Sequence, residues 1–364
     1  MRAINPDMVT VARESRGLSQ SELAKRLSIA QGALSKIEGG IRSPSAELAA
    51  KLAVNLDYPV EFFYSTEPIY GLGVGTLYHR KRQALSSSIL AMIHAQVNIR
   101  RIHISRLLKS AEFPEGKIRH LDLDDYGGSP DRIAQAVRAN WLLPNGPVQN
   151  ITEAIEDNGG IVISFDFETS LIDAVSQWPP DMPPLFFVND SIPGDRLRYS
   201  LAHELGHVVM HEIQTENMED EANRFAAALL MPVSDIRASL SPMTLPRLAA
   251  LKSYWKVSMA ALLKRATDLT MISERQARSL WMKMGQAGLR RREPPELDVP
   301  NETSTICAEL MDMHREDLGY SLSDISALLT IHEHELRKPK ERQKPTAPLR
   351  LVRSKKRSVS RLYN

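Results

Sequence analysis

The sequence of 364 residues contains a single cysteine, Cys307, so no disulfide bond can form within the chain. This excludes a small secreted domain held together by disulfides, and a free thiol fits a reducing compartment. The sequence also has no run that approaches the ~18–20 continuous apolar residues of a membrane span. Its N-terminal residues carry charges where a signal peptide would have an apolar core. We therefore predict a cytoplasmic protein without a membrane partner.

Neither sign of charge predominates, since the formal net charge of the chain is only +2. The charge is nevertheless unevenly distributed. Residues 337–364 hold eleven Lys or Arg against one acid, Glu341, which leaves a net charge of −8 on the rest of the chain. Such a segment is either a solvated, disordered end or an arm that contacts phosphates. We predict a disordered basic tail, and composition leaves its contact with phosphates open.

The chain is too long for one ordinary hydrophobic core, so two or three domains are expected. Apolar residues recur mostly at helical spacing, while stretches rich in β-branched and aromatic residues predict strands at 161–167 and 185–190. The predicted fold is thus mainly α-helical with a small β-sheet. Five segments are predicted: a helical bundle at 1–68, a helical connector at 69–130, an α+β domain at 131–288, a helical module at 289–336 and the tail at 337–364.

Residues 17–38 have the pattern of two short helices joined by a tight turn. Ser19 can cap the first helix, with Glu22 three residues later completing a capping box, and two glycines after Glu38 end the second. The second helix keeps four residues on its outer face: Gln31, Gly32, Ser35 and Lys36. Their amide, hydroxyl and ammonium groups can reach bases or phosphates in a major groove.

The stretch GLSQSELAKRLSIAQGALSKIEGGIRSPS and the helix after it resemble the Cro/C1-type (XRE) helix-turn-helix family over about 60 residues. The resemblance implies double-stranded operator DNA as a partner. It also implies that Gln20 contacts a phosphate, and that the base-facing set is Gln31, Gly32, Ser35 and Lys36. A homodimer is compatible with the sequence, because such proteins often bind paired half-sites. The alternative is a helical module that kept this fold but binds protein.

The chain contains a second copy of this pattern. GYSLSDISALLTIHEHEL (319–336) aligns without gaps with GLSQSELAKRLSIAQGAL (17–34), and both begin with Gly-x-Ser-x-Ser followed by an acid. The outer positions of the second copy are His332, Glu333, His334 and Glu335. Because two carboxylates would repel a phosphate backbone, we predict a helical interaction or dimerisation module here.

The sequence His203-Glu204-Leu205-Gly206-His207 places two histidines on one face of a predicted helix. Both imidazoles can then bind one Zn²⁺, and Glu204 beside the metal can take the proton from an attacking water. A catalytic zinc also needs a third protein ligand. His211 would lie ~12 Å from His203 along a continuous helix. We therefore expect it to be a surface residue or a support of the ligands.

The better source of the third ligand is the next predicted helix, which begins MEDEANRF. Plotted at helical spacing, Glu219 and Glu221 flank its apolar face from opposite sides. Periodicity therefore does not choose between the two glutamates.

HELGHVVMH followed by ExEANRFAAALLMP resembles the ImmA/IrrE family of zinc metallopeptidases, whose members often act on repressors. The similarity covers roughly 140 residues, from about Ala134 to Leu269. It implies a zincin-like α+β fold in which Glu221 joins His203 and His207 as zinc ligand, with Glu219 as the alternative. Glu204 is then the catalytic base.

Together the two resemblances predict a DNA-binding transcriptional regulator with a zinc-dependent endopeptidase domain, whose substrate is a partner protein such as a repressor. Two alternatives use the zincin domain without catalysis: a transcription factor that senses through it, and an antitoxin- or immunity-type protein that acts by binding. No residue is securely identified as the oxyanion stabiliser. The candidates are Arg198, Tyr199 and Tyr254.

Overall fold

The structure, a computed structural model, describes residues 3–72, 86–111, 113 and 116–336. The predicted basic tail, 337–364, lies outside the described residues. The chain forms two compact units. The N-terminal unit takes its described residues from Met1–Gly71, Ser86–Glu115 and Thr305–Asn364, and the central unit from Leu72–Leu85 and Gly116–Ser304. The segment predicted as a connector, 69–130, therefore contributes residues to both units.

The fold is mainly α-helical with one small sheet, which confirms the predicted fold class. The elements follow along the chain as α1 (Pro6–Ser15), α2 (Gln20–Leu27), α3 (Gln31–Glu38), α4 (Ala46–Leu56), α5 (Ser87–Leu108), α6 (Pro130–Asn140), α7 (Ile151–Asp157), β1 (Ile161–Phe165), β2 (Ala174–Gln177), β3 (Leu185–Asn189), α8 (Gly194–Met210), α9 (Met218–Leu230), α10 (Val233–Ile236), α11 (Leu245–Trp255), α12 (Met259–Asp268), α13 (Glu274–Gln286), α14 (Ile306–Asp312), α15 (Leu322–Leu329) and α16 (Glu333–Leu336). Among the described residues, none of the helices has the length and hydrophobicity of a membrane span.

The start of the N-terminal unit forms as its local sequence dictates. Ser19 caps α2 with a complete capping box, because its hydroxyl accepts from Glu22 N while Glu22 Oε2 accepts from Ser19 N at 2.8 Å. Ser28 then takes a left-handed conformation (φ 57°) and turns the chain into α3. The apolar face of α3, with Leu34 and Ile37, is buried against α1 and α2. The opposite face of α3 therefore points away from this core.

The C-terminal repeat reproduces the same local geometry. Ser321 and Asp324 form the capping box of α15, as Ser19 and Glu22 do for α2. Thr330, which aligns with Ser28, has the same left-handed turn conformation (φ 55°). The repeat packs on α5, where Arg106 donates to Thr330 Oγ1 at 2.9 Å. The internal sequence repeat is thus also a structural repeat within the N-terminal unit.

The central unit contains a three-stranded sheet in the order β1-β3-β2. β1 and β3 run parallel, with Ile161 opposite Leu185, and β2 pairs antiparallel with β3, with Val175 opposite Phe187. The strands predicted at 161–167 and 185–190 correspond to β1 and β3, while β2 was not predicted. Within the described residues β2 forms one edge of this sheet.

Helices α8 and α9 of the central unit cross closely. Leu201, Leu205 and Phe225 are fully buried in their shared core. A Cβ atom at Gly206 of α8 would meet Phe225 Cδ1 at 3.0 Å and Ala222 Cα at 3.3 Å. The glycine therefore sets how near α9 can approach α8.

The segment after α13, residues 293–304, is fastened to the central unit by buried ion pairs, and we name it the strap. Glu293 Oε2 accepts a hydrogen bond from Lys252 Nζ at 2.7 Å. Glu302 pairs with Arg198, whose side chain is 1% exposed. The strap thereby holds the N-terminal part of α8 in place.

Candidate metal centre and DNA-reading helix

Three side chains from α8 and α9 converge on one point. His203 and His207 lie one helical turn apart, with 3.0 Å between their Nε2 atoms. Glu219 comes from the first turn of α9, and its carboxylate oxygens lie 3.4 Å from His203 Nε2 and 3.2 Å from His207 Nε2. The ligand atoms of the three residues all lie within 4.8 Å of one another. This is the geometry of three side chains that could hold a single metal ion.

The chemistry of these donors fits a cation such as zinc, which takes imidazole nitrogen and carboxylate oxygen as ligands. Glu219 Oε1 is buried and accepts no hydrogen bond, a costly state that a cation would relieve. Burial lowers the pKa of His207 to about 4, so its ring is neutral near pH 7, as metal binding requires. Burial would raise the pKa of Glu219, but the imidazoles of His203 and His207 beside its carboxylate hold that pKa below its usual value.

Glu204 lies between the two histidines in sequence and is 5% exposed. Burial raises its pKa to about 7, against the opposing effects of His203 and of a hydrogen bond from Ser176. Ser176 Oγ donates to Glu204 Oε2 at 2.7 Å. A carboxylate that titrates near neutral pH is suited to act as a general base. Sequence reasoning missed Ser176, because it lies on β2, which was not predicted.

The structure does not bring Glu221, the expected third ligand, to the two histidines. Its Oε2 atom instead lies 3.0 Å from Nε2 of His211. His211 is buried, and its Nδ1 lies 3.0 Å from His207 Nδ1. Glu219, the alternative, occupies the position expected of Glu221.

The sequence analysis placed His211 on a continuous helix, as a surface residue or a support of the ligands. α8 ends at Met210, and His211 has an extended backbone (φ −123°, ψ 102°), a conformation open to any residue. The chain thus leaves the helix axis without a glycine. His211 is accordingly neither a third ligand nor a surface residue, and it lies directly against His207.

A cleft of about 590 Å³ opens beside the cluster. His207, His211 and Ser176 line it on one side. The proline-containing loop Trp178–Met182 lines another part, and Trp178 Nε1 donates to Met182 O at 3.2 Å within that loop. The cleft therefore offers an apolar wall next to the polar metal cluster.

None of the three oxyanion candidates lines this cleft. Arg198 is buried and donates to the carbonyl oxygens of the chain around it, including Val148 O. Tyr199 donates its hydroxyl to Asn223 O at 3.1 Å. His120, which does line the cleft, was not singled out from the sequence, where an isolated histidine gives no signal.

In the N-terminal unit, α3 exposes the residues predicted to read DNA: Gln31, Gly32, Ser35 and Lys36. The space around Gly32 is open, with no atom within 4 Å of a Cβ built there. Gln20 is half-buried at the start of α2, and its Oε1 accepts from Gln31 Nε2 at 2.7 Å. The five residues thus lie on or beside one face of the unit.

Comparison with known families assigns both regions. Residues 11–63 match the family model described as Helix-turn-helix (HTH_3), and residues 156–267 match the one described as IrrE N-terminal-like domain (Peptidase_M78). The chain joins a helix-turn-helix DNA-binding domain to an IrrE-like, metallopeptidase-type domain. The second match includes all three residues of the metal cluster together with Glu204. A search of curated proteins found no match to the chain.

Proposed function

We propose that the chain is a DNA-binding regulator that cleaves a partner protein by means of a zinc centre held by His203, His207 and Glu219. The observation that carries the proposal is the convergence of these three side chains next to Glu204, beside an open cleft. A buried carboxylate with a pKa near neutrality, adjacent to a metal ligand in sequence, suits the general base of metal-assisted hydrolysis.

The chain's own residues would divide the chemistry among them. The two histidines and Glu219 would bind the ion, which would supply a Lewis acid for the scissile carbonyl and lower the pKa of a water. Glu204 would take the proton of that water and deliver it to the leaving amine. Ser176, which donates to Glu204 Oε2, would hold the carboxylate in place between these two transfers.

The sheet edge supports a peptide as the substrate. β2 pairs only with β3 among the described residues, and its Ser176 contacts Glu204. β2 itself is buried, but Ser176 and Gln177 line the cleft, so an extended peptide lying in the cleft would run along β2 and past His207 of the metal cluster. The loop Trp178–Met182 would contact apolar side chains of that peptide.

The helix-turn-helix would bring the peptidase domain to an operator by binding DNA there. In this proposal Gln31, Gly32, Ser35 and Lys36 face the bases of an operator and Gln20 contacts a phosphate. The substrate would then be a protein bound at the same DNA, such as a repressor. Two copies of the chain on paired half-sites would follow from the same geometry.

The deciding experiment measures zinc content and peptide cleavage in the wild type, His203→Ala and Glu204→Gln. We expect about one zinc per chain in the wild type and in Glu204→Gln, and none in His203→Ala. Cleavage of a proteome-derived peptide library, followed by mass spectrometry, should occur only with the wild type. Absence of zinc from all forms, even after metal is supplied, would refute the proposal. Zinc without cleavage would instead favour a sensor or an antitoxin-type binding protein.

A further inference from the structure

His211 and Glu221 form a partly buried series of hydrogen bonds behind the metal cluster. His207 Nδ1 lies 3.0 Å from His211 Nδ1, and His211 Nε2 lies 3.0 Å from Glu221 Oε2. The His211 side chain is 1% exposed and that of Glu221 is 22% exposed. These hydrogen bonds therefore lead from the metal cluster towards the surface. The proposed function gives neither His211 nor Glu221 a role.

The chemistry of the atoms fixes where the protons lie when both rings are neutral. A carboxylate can only accept, so His211 Nε2 must carry the hydrogen that Glu221 receives. The Nδ1 atom of His211 is then a lone pair and can only accept. His207 Nδ1 must therefore carry a hydrogen, which leaves the lone pair of His207 on Nε2. That lone pair faces Glu219 and His203.

We propose that Glu221 and His211 are positioning residues, which hold His207 in the Nδ1–H tautomer with its Nε2 lone pair directed at the metal. The proposal rests on the zinc centre proposed above. It assigns separate roles to two glutamates that are two residues apart on α9: Glu219 binds the ion, and Glu221 acts through His211. Ligands held in this way bind metal more tightly, because the productive tautomer and ring orientation are already selected.

The first test measures zinc affinity by competition with a chelator. Loss of such a supporting partner typically weakens metal binding about 10- to 100-fold, which is the effect we expect for Glu221→Ala. Asp220→Ala is the matched control, because it removes the same charge from the same helical turn at an exposed position. Asp220→Ala should change the zinc affinity by no more than about threefold from the wild type, which is less than the smallest loss, about 10-fold, that we expect for Glu221→Ala. Glu219→Ala should weaken zinc binding by more than the upper value, about 100-fold, expected for Glu221→Ala, because it removes a ligand of the ion.

The second test reads the tautomer directly, in the metal-free protein, by long-range ¹H–¹⁵N NMR with labelled histidine. The His207 signals are assigned by their disappearance in His207→Ala. We expect protonated Nδ1 in the wild type and a mixture of tautomers in Glu221→Ala and His211→Leu. In His211→Asn the amide oxygen can accept from His207 Nδ1, so this variant should restore the Nδ1–H tautomer that His211→Leu loses. A change of folding alone would not produce that restoration.

The outcomes are distinct. Loss of zinc from Glu221→Ala as complete as from Glu219→Ala would make Glu221 a direct ligand and overturn the proposal. So would an unchanged tautomer and affinity in Glu221→Ala. The tautomer of His207 is measured without metal or substrate. Its result therefore tests the roles of Glu221 and His211 even if the chain cleaves no protein.

Discussion

At the scale of single residues, the exposed face of α3 combines two kinds of chemistry. Gln31 carries an amide that can both donate to and accept from a base edge, whereas Lys36 carries only a point charge. The two residues should therefore contribute differently to specificity and to affinity, although both are exposed on the same short helix.

We predict that Gln31→Ala weakens operator binding by about 1–3 kcal/mol and relaxes the preference at one base position. Lys36→Ala should weaken binding to all sequences alike and reduce the salt dependence of binding by about one phosphate contact. Binding to operator and scrambled duplexes at several salt concentrations distinguishes the two effects. Lys51→Ala, on the exposed side of α4, is the control. Equal losses on both duplexes for Gln31→Ala would contradict base readout.

The site residues differ in how far sequence alone could place them. The pair His203 and His207 was predictable, because a spacing of four residues brings two side chains to one helix face regardless of tertiary structure. The choice between Glu219 and Glu221 was not, since both flank the apolar face of α9. The choice depends on where α8 ends. Because α8 ends at Met210, His211 lies within hydrogen-bond distance of Glu221, and Glu219 is left to face the two histidines.

At the scale of elements, the metal cluster depends on the crossing of α8 and α9, because each helix supplies part of it. Gly206 lies at this crossing, one residue before His207. The strand β2 matters as much, since it brings Ser176 to Glu204. Its four residues, AVSQ, are too short to show a strand period and are followed by a proline-containing loop, so no sequence pattern marked them.

We predict that Gly206→Ala destabilises the protein and weakens zinc binding. The new methyl group would lie 3.0 Å from Phe225 Cδ1 and 3.3 Å from Ala222 Cα, closer than ordinary contact, so the helix crossing would have to widen at a cost of about 1–3 kcal/mol. This exceeds the gain of up to about 1 kcal/mol from replacing a helical glycine. Gly32→Ala is the matched control: it also lies within a helix but has open space around it, so only the gain should appear. Urea unfolding and zinc titration measure both effects, and a more stable Gly206→Ala would contradict the close crossing.

At the scale of the whole molecule, the stability of the central unit depends on charged side chains that are paired in its interior. Glu302 of the strap pairs with Arg198, and burial lowers the pKa of that guanidinium to about 10. Removing one member of a buried pair leaves the other charge without compensation, which is far more costly than losing an exposed pair. The strap was not recognisable from sequence, because its partners are distant along the chain: Lys252 on α11 is 41 residues from Glu293, and Arg198 on α8 is 104 residues from Glu302.

We predict that Glu302→Gln lowers the free energy of unfolding by about 3–5 kcal/mol, since Gln keeps the shape and removes the charge. Glu47→Gln, which breaks the exposed pair of Glu47 with Lys51, is the control and should leave stability unchanged. Urea unfolding of both variants measures the difference. A neutral outcome for Glu302→Gln would show that Arg198 is stabilised by its carbonyl partners alone.

The two domains of one chain predict a coupling between DNA and proteolysis that neither would show by itself. A substrate bound at the same operator is held at a high effective concentration, which typically raises binding by 10²- to 10⁴-fold. Gln31→Ala should therefore cleave a repressor substrate in free solution as fast as the wild type. It should be at least about tenfold slower when that substrate is bound to operator DNA. Cleavage rates with operator and with scrambled DNA measure this, and Glu204→Gln should cleave under neither condition. If operator DNA leaves the wild-type rate unchanged, the helix-turn-helix serves a separate function, and recruitment to DNA does not select the substrate.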